Sequence, residues 1–578
     1  MLLPRARARS FLAHSALLLL VSTPGIAMSE SPASPEPTVW RLASRSAAIY
    51  ERQHELVFEP GANRHWGPFV REMNPPLLFG DELDGSRSAL QLPISDTRDL
   101  GRHLAFDLAA YGNERVRRGE IELQNSLLPL AYELRFEAPD AMGQQRAKGR
   151  LKPLRGSRAE GSEGQRYLTG NQGLLEGDLV LSRRFDRERG LVVAFDFSME
   201  LRWTPRSREK AEGTFDLHWR EIWSLREVLS ADLPADRSRL DELVRESTTR
   251  ATVWMEQKLG PPTDPSMWPT PERATSAANF PDGANASLTL LALLHAGRDR
   301  SEPLLAQAFE RVLAVEPRDL WAHATRVLAI AGAAAPREER SGLRIARNPS
   351  PRRVPAEMLP FLEASVRQLL APLARADAAQ PLLWLGTDGR SCSERAHLAT
   401  RALAEAAWCG IDLPASTWPR LAAHWLAARN DSGFTCETHH HEATGGATAM
   451  ALDSLQLCRR FLLDDPASQQ DARLLRAIDQ GLRSGWHWME EHYVTRRQPG
   501  PLFAARAQIY HYHWALLSAA KGGAREELGG RPIVWETLLH YVGAQSKYGS
   551  WANHDDNAFA LLCLDAPPRA PETPASGR

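Results

Sequence analysis

Residues Gly433 to Gly446 read GFTCETHHHEATGG, which places a thiol (Cys436), three consecutive imidazoles (His439, His440 and His441) and a carboxylate (Glu442) in one short stretch. Thiolate and imidazole are preferred ligands of zinc. Neighbouring histidines project in different directions, so not all three can bind one ion. Cys436, His439 and His441 form the candidate set, and zinc is the cofactor they imply. The spacing matches neither a zinc finger nor H-E-x-x-H, so the competing expectation is a solvated, hydrogen-bonded loop. Two other places carry chemistry: His511 and His513, and the run His554-Asp555-Asp556. Asp555 and Asp556 are the candidate acids, with capping of the last helix's N-terminus as their competing role. His511, His513, His554 and Glu442 are candidate ligand-binding groups.

Helices must bring these groups together. From about residue 240 to 566 apolar residues recur with a period of 3.6, and six helix pairs can be read. The second helix of each pair, such as ANASLTLLALLHAG or ATAMALDSLQLCRRF, is mostly apolar and rich in small residues, as a helix buried on both sides should be. The first is more amphipathic. Six such hairpins predict an (α/α)6 toroid, with an open helical solenoid as the competing topology. In a toroid all inner helices start at one rim. Cys392, Cys436, the His439–Glu442 cluster, His511, His513 and the His554–Asp556 run all lie at or near inner-helix starts, so one rim is expected to gather them.

The segment before these helices has a period of two. In FDFSMELRW, Phe195, Phe197, Met199, Leu201 and Trp203 alternate with Asp196, Ser198, Glu200 and Arg202; TFDLHWREIWSL (Thr214 to Leu225) alternates in the same way. This predicts a long antiparallel hairpin with one packed and one wet face. YELRFEA and DLVLSRRF add strands, so residues 38–235 are expected to form an antiparallel sheet or sandwich, irregular over 38–110. The fold class is therefore α+β and multidomain.

The net charge of −1 and pI near 7 give no overall basic character that would point to nucleic acid. The opening MLLPRARARSFLAHSALLLLVSTPGIAMSE has a basic start, a short apolar run and small residues near Ala27, the pattern of a secretory signal peptide over 1–27. Residues 28–37 read as a linker and 567–578 as a disordered tail. No later stretch is apolar enough to span a membrane, so an exported protein is expected, periplasmic or extracellular. All five cysteines lie between 392 and 563. Cys392 and Cys409 sit at opposite ends of one predicted helix, about 25 Å apart, too far to bond. The same holds for Cys436 and Cys458. Cys409–Cys458 and Cys392–Cys436 remain feasible pairs.

The last hairpin carries Gln545-Ser-Lys-Tyr-Gly549-Ser-Trp551, of form Q-x3-G-x-W, followed by Asn557-Ala-Phe-Ala-Leu-Leu. This resembles the repeat of the terpenoid cyclase and protein prenyltransferase superfamily. The resemblance covers roughly 240–566 and implies an α/α toroid in which the Gln and Trp tie a loop to neighbouring helices. The catalytic D-x-D-D-T-A of the cyclases has its nearest match in Asn553-His-Asp555-Asp556-Asn557-Ala558, which lacks the first Asp and the Thr. The prenyltransferases' zinc-binding Asp-x-Cys has Phe434 in place of its Asp.

Three functions follow as expectations. The first is a non-catalytic exported module that binds a protein or an apolar small molecule. The second is a toroid enzyme acting on an isoprenoid or lipid. The third is a carbohydrate-active enzyme joining a β-sandwich to an (α/α)6 barrel, which needs two carboxylates about 5 to 10 Å apart.

Overall fold

The structure, a computed structural model, describes residues 45–58, 77–79, 115–121, 130–153, 173–186, 191–205, 215–261, 267–268, 283–336, 339–340, 351–375, 393–430, 433–435, 442–464, 471–495, 498–500, 509–546, 548–551 and 554–564. Strands come first and helices follow.

Eight strands make one antiparallel sheet: β1 (Ser46–Phe58), β2 (Leu77–Phe79), β3 (Val116–Ile121), β4 (Leu130–Phe136), β5 (Gln144–Pro153), β6 (Gly173–Asp186), β7 (Leu191–Pro205) and β8 (Phe215–Ser230). The order is β2-β1-β8-β7-β6-β5-β4-β3, a meander from β3 to β8 with β1 laid beside β8. The period of two sets the register: Phe195 pairs with Trp223, Met199 with Trp219 and Trp203 with Phe215. Leu134, Leu181, Phe197, Met199, Trp219 and Trp223 are buried on one face. The other face carries exposed cross-strand pairs, Arg202–Asp216 and Arg220–Asp196, each at 2.7 Å. Glu221 breaks the apolar series. It is fully buried, and its two oxygens accept hydrogen bonds from the indoles of Trp219 (2.8 Å) and Trp223 (2.7 Å), which satisfies a carboxylate where an unpaired one would be costly.

Among the described residues twelve helices follow: α1 (Pro234–Leu259), α2 (Ala284–His295), α3 (Pro303–Ala314), α4 (Leu320–Ala334), α5 (Leu359–Arg375), α6 (Ser393–Trp408), α7 (Thr417–Ala427), α8 (Gly445–Asp464), α9 (Ala472–His492), α10 (Ile509–Gly522), α11 (Ile533–Ala544) and α12 (His554–Cys563). Small hairpins β9–β10 (Arg429–Asn430, Gly433–Phe434) and β11–β12 (Glu527–Leu528, Arg531–Pro532) interrupt them. Helix α1 buries Leu240, Val244, Ser247, Ala251, Met255 and Leu259, one stripe at three- and four-residue spacing. Helix α2 is buried all round, from Ala286 to Leu294. Helix α11 departs from the amphipathic pattern of the other odd-numbered helices. It is buried from Trp535 to Ala544, because α1, β2 and the β11–β12 hairpin all pack against it. The even-numbered helices touch in sequence, α2 on α4, α4 on α6, α6 on α8, α8 on α10 and α10 on α12, and α12 touches α2.

The Q-x3-G-x-W stretch joins the last hairpin to the first helix. Gln545 Oε1 accepts from Ser247 Oγ (2.8 Å) and from Arg250 (2.9 and 3.1 Å), and its Nε2 donates to the carbonyls of Ser247 (2.8 Å) and Gly549 (3.1 Å). Trp551 donates from its indole to Tyr541 O at 2.7 Å. Gly549 has φ +95°, and a Cβ there would lie 2.3 Å from Arg250 O, so both conformation and space demand glycine. Arg45 ties the sheet to the helices, donating to Asp232 (2.9 Å), Glu527 (2.7 Å) and the Gly530 carbonyl (3.0 Å).

Cys409, Cys458 and Cys563 are free thiols. The feasible Cys409–Cys458 bond is therefore not made. Burial pushes the Cys409 thiol up to about 11 and those of Cys458 and Cys563 higher still. Cys392 and Cys436 lie outside the described residues. So do His439 and His441, with the zinc set they would complete.

Candidate functional site

A buried polar cluster lies between the even-numbered helices. His397 and Arg401 come from α6, Asp453 from α8, and His511, Trp514 and Ser518 from α10. His397, Asp453 and His511 are fully buried, and Arg401 is 3% exposed. His397 Nε2 lies 2.8 Å from Asp453 Oδ2, and His397 Nδ1 lies 2.8 Å from His511 Nε2. Arg401 Nε is 3.4 Å from Asp453 Oδ2, and its terminal nitrogens donate to Ser518 Oγ at 2.6 and 3.0 Å. The Arg401 guanidinium also sits 4.7 Å above the Trp514 ring.

Charge states fix the proton positions. Burial alone would raise the Asp453 carboxyl, but the Arg401 guanidinium and the hydrogen bond from His397 outweigh it and hold the group below the usual carboxylate range. Asp453 is thus an acceptor. Burial lowers the His397 imidazole against the pull of Asp453. It lowers His511 well below its usual value, and nearby His397 and Arg401 add to that. Both rings are neutral near pH 7. A neutral His397 facing a carboxylate carries its proton on Nε2, so its Nδ1 accepts from the Nε2–H of His511. The result is a directed chain, His511 to His397 to Asp453.

Aromatic rings enclose the chain. His511 stacks on Phe559 of α12 at 4.4 Å and 6° and meets the edge of Trp321 of α4 at 5.9 Å and 84°. Trp514 packs edge-on to His397 at 5.4 Å. Beyond Arg401 lies a cavity of about 20 Å³, lined in part by Arg340, Arg352, Glu405 and Trp514, enough for one water. Arg352 and Glu405 form an ion pair at its wall.

Of the residues singled out from sequence, His511 belongs to this cluster and His513 does not. His513 is also buried, but its Nδ1 lies 2.9 Å from the Tyr541 hydroxyl of α11, and burial lowers its imidazole to about 3. Two residues apart on a helix, the rings project about 200° apart, so His511 and His513 face different neighbours. Glu442 is exposed, ahead of α8. His554, Asp555 and Asp556 open α12, and their side chains lie outside the described residues. Among the described residues, no group of three or more His, Cys, Asp or Glu side chains could hold a metal ion.

Sequence reading missed His397, Arg401 and Asp453. The available signal was polarity in the wrong place. SERAHLATRALAEAAW and ATAMALDSLQL belong to helices buried on nearly every side, and a charged residue there must find a partner. His397 and Arg401, four apart, share one helix face.

No family model matches the chain, and no curated protein does. Among similar solved chains is one from a structure describing lipid–protein interactions in lipovitellin. Its identity is 7% and its TM-score 0.19, with 82% of this chain and 56% of that chain covered. This chain thus spans just over half the length of its structural neighbour. No described helix is long and apolar enough to cross a membrane.

Proposed function

We propose that residues 234–564 form an (α/α)6 toroid whose axis is closed by its own side chains, and that the chain is a non-catalytic binding module. The cyclic order of contacts among the even-numbered helices supports the ring, and the Gln545 latch to α1 supports its closure. One observation carries the functional reading. In a ring of six, α4 and α10 are opposite members, yet Trp321 and His511 approach to 5.9 Å. Small-molecule pockets run to about 300–1,000 Å³, and rings that meet across the axis leave no such lumen. The cyclase and prenyltransferase resemblance then extends to helix arrangement and not to chemistry. The segment 1–27 acts as an export signal on this reading, and a mature N-terminus near residue 28 would agree with it.

Calorimetric titration of the purified mature protein with a prenyl diphosphate and with a long-chain fatty acid tests the reading. No saturable binding is expected. Trp321→Ala should gain affinity for a small apolar probe such as benzene, because an emptied apolar cavity takes such ligands. Stoichiometric prenyl or fatty-acid binding by the parent protein would overturn a closed axis.

A toroid enzyme is the second reading, favoured by the Asp453–His397–His511 chain, whose carboxylate–imidazole order suits a general base. Turnover of any substrate, lost in a folded Asp453→Asn variant, would promote it.

A further inference from the structure

The outward face of β3, β4 and β5 is far more basic than the chain as a whole. Along β5 the sequence QRAKGRLK turns Arg146, Lys148, Arg150 and Lys152 to solvent, at a spacing of about 6.7 Å. Arg118 of β3 and Arg135 of β4 stand beside them, 76% and 77% exposed. One facing acid is Glu133, already bonded to Arg118 (2.9 Å) and Arg135 (3.1 Å). Arg150 reaches Asp178 of β6 at 3.7 Å. Arg146, Lys148 and Lys152 make no ion pair among the described residues. On three adjacent strands six cations thus share one face with two acids, Glu133 and, by register, Glu120 of β3, in a chain whose net charge is −1.

Exposed apolar side chains interleave with these cations. Register aligns Val116, Arg135, Lys148 and Val180 in one cross-strand row. Val116 is 45% and Val180 46% exposed, and Met142, in the turn between β4 and β5, is 79% exposed. An apolar–cation–cation–apolar row on a broad sheet face offers no groove to enclose a linear chain. It matches a planar anionic surface, where cations meet phosphates and small apolar groups enter the interface.

We propose that the outward face of β3 to β5 is a peripheral docking surface for a bilayer rich in anionic lipid. The inference rests on the binding-module reading only in naming a partner. It uses no residue of the helical cluster, so the two can fail separately.

Co-sedimentation of the full chain tests it, using phosphatidylcholine vesicles with and without phosphatidylglycerol, at low and physiological salt. The protein should pellet with the anionic vesicles and not with the neutral ones, and added salt should release it. Each basic side chain at such a surface strengthens binding about five-fold, so Lys148→Gln with Lys152→Gln should weaken it about 30-fold. Both side chains are exposed, and an unchanged melting curve would show the fold intact. Equal binding to neutral vesicles, no binding at low salt, or full binding by the double variant would overturn the proposal. Retention on heparin without vesicle binding would overturn it in favour of a linear polyanion.

Discussion

Replacing Asp453 by Asn tests the physical logic of the buried cluster. Asparagine keeps the size and an oxygen that can accept from His397 Nε2, so the change is chiefly one of charge. Arg401 is left as a buried cation beside Ser518 Oγ and the Trp514 face, without the carboxylate 3.4 Å away. Removing one partner of a buried pair costs about 3–5 kcal/mol. The helical part runs from Pro234 to Cys563, and at about 2.1 cal/mol/K per residue its unfolding entropy is about 0.7 kcal/mol/K. A loss of about 4 kcal/mol then lowers Tm by about 6 °C. Differential scanning calorimetry reads this directly. Adding Arg401→Met should recover much of the loss, since apolar groups replace buried pairs at little cost. An Asp453→Asn protein melting within about 1 °C of the parent, or a double variant with additive losses, would refute the coupling.

Other expectations follow from the same structure. His397, His511 and His513 are neutral and buried, with imidazoles lowered from 6.5. The unfolded chain binds protons at these sites before the folded one does, so stability is complete above pH 6.5 and falls below it. Each contributes up to about 1.4 kcal/mol per pH unit, and for His513 the loss continues to about pH 3; denaturant midpoints between pH 7.5 and 4.5 should show the slope, which His513→Phe should reduce. Gln545→Ala removes the acceptor of Ser247 and Arg250 and should cost about 1–3 kcal/mol. Gly549→Ala should cost more, because it meets Arg250 O and a φ of +95°; urea midpoints for the pair give the ranking. Cys458 and Cys563, both buried, should resist alkylation until the chain unfolds, and peptide mapping after denaturing alkylation should show Cys409, Cys458 and Cys563 each modified.

Much of the architecture was legible. Phe195 to Trp203 and Phe215 to Leu225 announce β7 and β8 because one buried face imposes a period of two. The latch at Gln545 and Trp551 was legible only through the resemblance of Q-x3-G-x-W to a known repeat, and the structure shows the buried amide spending its donors and acceptors on Ser247, Arg250 and Gly549. The cluster was not legible because its members meet by tertiary packing. Asp453 and His511 lie on different helices, and no local spacing relates either to His397. His511 and His513 look alike in sequence, yet the helix turns one to the cluster and the other to Tyr541. The basic face was hidden by averaging. Net charge sums over the chain, whereas RAKGRLK places its cations on one side only if read as a strand. The histidine-rich stretch from Cys436 to His441 lies outside the described residues. Its flanks are held, with Phe434 buried and Gly445 N donating to Pro499 O at 2.6 Å.

The proposed closure of the axis is tested most directly by the proton states of His397 and His511. Selective ¹⁵N-histidine labelling, with NMR spectra recorded from pH 8 to 5, reports each ring's tautomer and charge. The account predicts that the rings assigned by His397→Gln and His511→Gln variants are neutral Nε2–H tautomers at pH 7, with slowly exchanging protons, and take up charge only below the ordinary imidazole range. Rings that titrate near 6.5 and exchange freely with water would contradict it and show an open, wet axis.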